Sequence, residues 1–355
     1  MLKKPLPNAK KKFINSINYF RGIAIILIVL GHSYDLAHWE ISNGLEQFIY
    51  SLSLNGTVYF VFISGFLYHH IFYPNFNYHK FLTKKIRYVL VPYVLFSLIP
   101  ILNTVFLDGG GYALPDDLRD EPLRAIAWYL LTGNIIVAYW YVPMAILLFL
   151  LSPLVNKIIK SETILIITLA LLPISLIIHR PINNLNAIHS LIYFFPVYLL
   201  GSWSSINQKK IYTYLRDRNK KIFLITLAIS LGLLQVFVFQ QPGNFHKEFW
   251  SITVPDVNLL QKIVLCFLFI SILDKYEHTE FSILNKVADT SFAIYFLHPF
   301  LLNAVFSLFT TLNLNYEGNF LIWIFVAFTT VITSMAIAIG IKAVLKKRSR
   351  YLIGW

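Results

Sequence analysis

The chain has one cysteine, Cys266, and three methionines in 355 residues, and its 17 acidic side chains face 30 lysines and arginines. A single cysteine excludes an intrachain disulfide framework and a cysteine metal cluster. Cys266 lies inside an apolar run and reads as a small buried hydrophobe. No Walker loop, dinucleotide fingerprint or metalloprotease motif occurs. His69, His70 and His79 cluster without carboxylate partners, so no metal site is expected. Internal repeats, low-complexity tracts and a soluble terminal domain are also missing. Charge itself is scarce, at 13% of residues, and it sits between apolar stretches.

Those stretches dominate. Hydrophobic residues make up 57% of the chain and the mean hydropathy is +0.63, against roughly 45–50% apolar for a soluble domain. The runs are about 18–25 residues long, enough to cross a hydrocarbon core about 30 Å thick at 1.5 Å per residue. They are continuous and do not alternate, which selects helices over barrel strands. The expected fold is an all-α polytopic membrane helix bundle with about ten transmembrane helices, forming a single membrane domain over 1–355. The expected spans are 15–36, 50–71, 88–107, 138–156, 163–179, 189–206, 222–240, 257–274, 290–310 and 321–344. "LRAIAWYLLTGNI", before the fourth span, is too short and too polar-flanked to cross and reads as interfacial or re-entrant.

Lysine and arginine set the orientation, because short cytoplasmic loops carry the excess of positive charge. Loops on the side of the N-terminus hold 24 of the 30. The opposite side holds Arg119, Arg124, Arg180, Lys247 and Lys262. Both termini are therefore expected in the cytoplasm, as a basic N-terminus at 1–14 and a short tail at 345–355. The formal charge of +13 raises nucleic acid as a partner, but its scatter over inner span ends fits the lipid bilayer and not nucleic acid. The first span lacks a small-residue cleavage site and is expected to stay as an anchor.

Ionisable groups inside a span cost about 2.5–3.5 kcal/mol each and are usually functional when they face the bundle interior. "NYFRGIAIILIVLGHS" carries two, Arg21 and His32. Eleven residues at 100° apiece return to the same helical stripe, with the two side chains ~16 Å apart along the axis. The alternative is that Arg21 snorkels to headgroups while His32 caps a buried network. Ser64 and Gly65 interrupt the aromatic run "YFVFISGFLYHH", either as functional groups or as small residues for close packing. Ser291, Tyr295 and His298 share one face of "DTSFAIYFLHPFLL". Lys80, Lys84 and Arg87 occupy adjoining turns at the inner edge, suited either to anionic lipid or to the phosphates of a large anionic cosubstrate. Asp35 follows His32 by one turn, placed to orient its imidazole or to sit among outer headgroups.

With these residues in order, the chain resembles the acyltransferase-3 family of bacterial membrane acyltransferases, marked by a basic residue, ten intervening residues and a histidine in the first span. Here that is "RGIAIILIVLGH". Further matches are "FVFISGFL", "FLTKKIRYVLVPY", "YWYVPMAILLFLLSPLV", "FFPVYLLG" and "SFAIYFLHPFLL". The resemblance implies an acyl-CoA-dependent O-acyltransferase of the bacterial inner membrane. It would move an acyl group, commonly acetyl, from cytoplasmic acyl-CoA to a hydroxyl of a cell-surface glycan or glycolipid. It implies essential roles for Arg21 and His32, and maps the family's cytoplasmic basic pair onto Lys84 and Arg87, with lysine where arginine is usual. It also implies acyl-CoA as cosubstrate without a tightly bound cofactor, glycan-synthesis proteins as partners, and no fused esterase-like domain. On that basis Arg21, Lys84 and Arg87 would hold the acyl-CoA phosphates and His32 would be the general base. Asp35, Ser64, Tyr295 and His298 would support it or line its cavity. A glycan or small-molecule transporter of the cell-envelope polysaccharide pathway is the competing expectation, since intramembrane charge also marks ligand pathways.

Overall fold

A computed structural model describes residues 13–108, 114–240, 246–251, 253–313 and 317–355. Residues 1–12 of the expected basic N-terminus lie outside the described residues. The protein is an all-α membrane helix bundle, interrupted among the described residues only by the two-residue strands β1 (Arg180–Pro181) and β2 (His246–Lys247), which pair in parallel. Helix covers each of the ten expected stretches. Six helices are long and apolar enough to cross a membrane: Gly44–Asn75, Tyr78–Phe106, Arg218–Val238, Val257–Tyr276, Ser282–Thr311 and Phe320–Ile353. A bent pair, Tyr141–Leu150 with Ser152–Lys160, makes a seventh.

That pair occupies the span expected at 138–156 and is bent. The helix starts at Tyr141 and turns by 56° at Leu151, because Pro153, in the first turn of the second piece, has no N–H to give the helix and its ring crowds the preceding turn. The second expected span is also in two parts. Helix α2 (Gly44–Ser53) stops, Asn55 takes a left-handed φ of 56°, and α3 (Thr57–Leu67) begins.

Helix α1 (Asn15–His32) occupies the centre, packed on α3, on α5 (Ser282–Thr311) and on α6 (Phe320–Leu345). We number α4 as Ala187–Ile206, the other central helix. Both α1 and α4 carry polar residues because they face protein on most sides and so do not need an apolar surface all round. Helices α3 and α4 meet at backbone contact. A Cβ on Gly65 would stand 1.9 Å from the Tyr198 carbonyl oxygen, and one on Gly201 would stand 2.0 Å from that of Phe62. The small-residue reading of the Ser64–Gly65 step is thus correct for Gly65, whose carbonyl also accepts from Ser202 Oγ at 2.9 Å.

Candidate functional site

A cavity of about 270 Å³ opens at the C-terminal end of α1. Four separate chain segments make its wall: His32 with Ile28 and Gly31, the 53–57 break, the 133–138 segment, and the β1–β2 loops. Each is folded there for a local reason. Gly56 lets the break press against α1, since a Cβ would lie 2.9 Å from Ile28 Cγ1. Gly133, at φ 72°, ends the Pro122–Thr132 helix in the left-handed region. This turns the following segment back over the cavity, so "LRAIAWYLLTGNI" contributes a short helix and part of the cavity wall.

His32 is half-buried on this wall. Its ring faces that of His298 with centroids 5.5 Å apart and planes at 34°. His298 is fully buried, and its Nδ1 lies 2.9 Å from the Ile294 carbonyl oxygen. A carbonyl only accepts, so Nδ1 carries the proton and Nε2 presents a lone pair. That Nε2 has no hydrogen-bond partner. Tyr295 donates to the Ala138 carbonyl at 2.7 Å, and Tyr139 donates to that of Phe296 at 2.9 Å. These two bonds lock α5 to the wall segment. His32 and Tyr295 also share a recess of about 20 Å³ with Thr57, Phe60 and Trp140.

Under the cavity, Asn55 Nδ2 donates to the Tyr193 hydroxyl at 3.0 Å, which donates to Asp256 Oδ2 at 2.7 Å. Asp256 Oδ1 accepts from the Leu259 amide. Lys262, fully buried, donates to the Ser51 and Leu52 carbonyls at 2.9 and 3.0 Å. It thereby satisfies the end of α2 next to the break. In the loops, burial pulls the Arg180 guanidinium down to about 10. Burial, then the Arg180 charge, pulls His246 down to about 4, so His246 is neutral near pH 7.

The other end of α1 is separate. Arg21 lines a second cavity of about 270 Å³ with Asn18, Leu67, His70 and Ile71, and shares no lining residue with the first. Its Nη2 donates to Asn18 Oδ1 at 2.9 Å and pairs with Asp289 at 3.5 Å. Lys84 and Lys80 line a hollow of about 200 Å³ that adjoins the Arg21 cavity at Ile71. Arg87 is exposed, with its guanidinium 5.9 Å from the Tyr351 ring centroid.

The structure therefore brings His32, Tyr295 and His298 together. Ser64 is half-buried, and the ring of Tyr141, which begins the following wall helix, is 5.9 Å from that of Tyr295. Asp35 is not brought to His32. It is exposed in a separate hollow with Trp39, Glu40 and Glu317, and no hydrogen bond joins it to His32 among the described residues. Sequence reasoning missed Arg180, Asn55, His246 and Lys262. One signal was available: on a side with only five basic residues, each is an exception to be explained, and Arg180, Lys247 and Lys262 are all buried.

A family model described as an acyltransferase domain matches residues 14–339. Among curated proteins, a "Probable poly-beta-1,6-N-acetyl-D-glucosamine export protein" of Staphylococcus aureus (strain MSSA476) is 22% identical over 376 residues, covering 97% of each chain. A protein of the same name from Staphylococcus epidermidis is 21% identical over 364 residues, covering 95% of this chain and 93% of its own. No solved structure matches. With the family match running from the start of α1 into α6, across both cavities, the chain belongs to the acyltransferase-3 family of membrane proteins.

Proposed function

We propose that the protein is a ten-span acyltransferase of the bacterial inner membrane with both termini in the cytoplasm. It transfers an acyl group, acetyl in the first instance, from cytoplasmic acyl-CoA to a hydroxyl of an envelope glycan or lipid-linked sugar. The observation that carries this reading is His32, half-buried on the wall of a polar cavity with the buried His298 ring 5.5 Å away. The grouping of charge supports the orientation. Arg180, Lys247 and Lys262 gather at the His32 end, while Arg21, Lys80 and Lys84 lie at the other.

Acyl-CoA docks at the Arg21 end, with its phosphates on Arg21, Lys84 and Arg87, and extends its thioester along α1 over ~16 Å. The acceptor sugar enters the outer cavity. One ring nitrogen of His32 serves as base for the acceptor hydroxyl, with the buried His298 ring 5.5 Å behind it. Tyr295, committed to Ala138, keeps the wall in place. Direct transfer is the preferred route, because the one cysteine, Cys266, is buried and lines neither cavity; an acyl-enzyme on Ser64 is the alternative.

A second reading, export of polysaccharide, is favoured by the names of the staphylococcal relatives. The deciding experiment places the protein in nanodiscs with radiolabelled acetyl-CoA and a β-1,6-linked N-acetylglucosamine oligosaccharide. Transfer by the unmodified chain that vanishes in His32→Ala while acetyl-CoA still binds supports the enzyme. Oligosaccharide binding with neither acetyl-CoA binding nor transfer supports export.

A further inference from the structure

Among the described residues Arg180 is the one arginine in the wall of the His32 cavity, and it is 4% exposed. Its guanidinium carbon lies over the cavity's aromatic side, 4.5 Å from the Trp140 ring centroid and 5.9 Å from that of Phe194. Nε and Nη2 both donate to Asn184 Oδ1, at 3.1 and 2.8 Å. Among the described residues Nη1 has no hydrogen-bond partner, and no carboxylate lies within 4.0 Å of the group. Asp256, within electrostatic range, is already committed to Tyr193 and the Leu259 amide.

A buried guanidinium without a carboxylate is costly, and such charges are normally paired. Here the contact with the Trp140 ring and the neutral Asn184 amide hold the group without neutralising it. That is the construction of an electrostatic site awaiting negative charge: a fixed donor in a poorly hydrated wall, with no reorganisation left to do. Trp140 and Arg180 both line the cavity that His32 lines, so any anion formed beside His32 forms in reach of this field.

We propose that Arg180 is a catalytic residue of the acyl transfer, the group that receives the oxyanion of the tetrahedral intermediate opposite His32. This rests on the transfer reading above. The acceptor oxygen gives its proton to His32 and its electron pair to the thioester carbonyl carbon, and the carbonyl π pair moves onto its oxygen, facing Arg180 Nη1. The pair then returns, the C–S bond breaks, and the thiolate takes the proton from the His32 imidazolium. Ester and CoA thiol leave, and both residues are restored.

The test uses the full chain in nanodiscs with acetyl-CoA and the β-1,6-linked N-acetylglucosamine oligosaccharide, following CoA release and ester formation. Arg180→Met is expected to lower kcat by about 10²–10³, the loss typical of one oxyanion donor, with KM for both substrates within threefold. Arg180→Ala leaves a slot against Trp140, and added guanidinium chloride is expected to restore at least tenfold of the lost rate, which a folding defect would not show. A kcat unchanged in Arg180→Met overturns the inference, as does a loss expressed only in KM, which would mark a contact to a charge the substrate already carries. A loss in both variants without guanidinium rescue also overturns it. If the unmodified protein releases no CoA, the transfer reading itself fails, and the inference with it.

Discussion

The two ends of α1 are built in opposite ways. At the His32 end, four chain segments enclose a polar cavity, the cations Arg180 and Lys262 are buried, and tyrosine-to-carbonyl bonds hold the wall. At the Arg21 end, the arginine side chain is 31% exposed and its partner Asp289 54%. The lining there is mostly apolar, from Phe13, Ile14, Ile17 and Leu67, with the lysines on an adjoining exposed turn. The contrast fits two tasks. Bond making profits from fixed donors shielded from water, whereas holding a large polyanion needs accessible, adjustable cations whose pairs are easily exchanged.

Five substitutions break or sharpen that contrast, and they rank by expected effect. His32→Ala removes the proposed base, so label transfer should fall by about 10²–10⁴ while acetyl-CoA binding, read by equilibrium dialysis, stays. Gly201→Val tests the scaffold that both ends share. A side chain there meets the Phe62 backbone, and separating α3 from α4 should cost about 1–3 kcal/mol of overpacking, read as a lower melting temperature in detergent. Lys262→Met strips the α2 carbonyls of their buried donor, at about 1–3 kcal/mol for an unsatisfied group. It should lower kcat more than donor affinity, because the 53–57 break belongs to the His32 end. Arg21→Ala should raise KM for acetyl-CoA by roughly 10-fold, from about 1.5 kcal/mol for a charge-assisted contact, with kcat nearly kept. Asp35→Asn should change transfer by less than about twofold, as befits an exposed surface position.

Much of this architecture was legible in the residues. Apolar run length gave helix within each expected stretch, six or seven of the helices being long and apolar enough to cross a membrane, and Arg21 and His32 lie at opposite ends of α1. The i, i+3 relation of Tyr295 and His298 likewise put them on one face, and the structure turns that face toward His32. What periodicity does not encode is the meeting of distant loops. Arg180 and His246 come together through a two-residue parallel pairing, and Lys262 reaches across to the end of α2. Asp35 shows the converse. Its spacing suits His32, but α1 ends at His32 and a short second helix, Tyr34–Ala37, points the carboxylate to the outside. The bend in the fourth span was illegible for a similar reason: hydropathy does not register the break at Pro153.

The most direct measurement is a full steady-state comparison of His32→Ala and Arg21→Ala in nanodiscs, with acetyl-CoA varied at saturating oligosaccharide. A division of labour along α1 predicts that His32→Ala loses kcat at unchanged donor KM, and that Arg21→Ala raises donor KM at nearly unchanged kcat. Equal losses of kcat in both variants, with donor KM unmoved in either, would contradict it and place Arg21 in the chemistry itself.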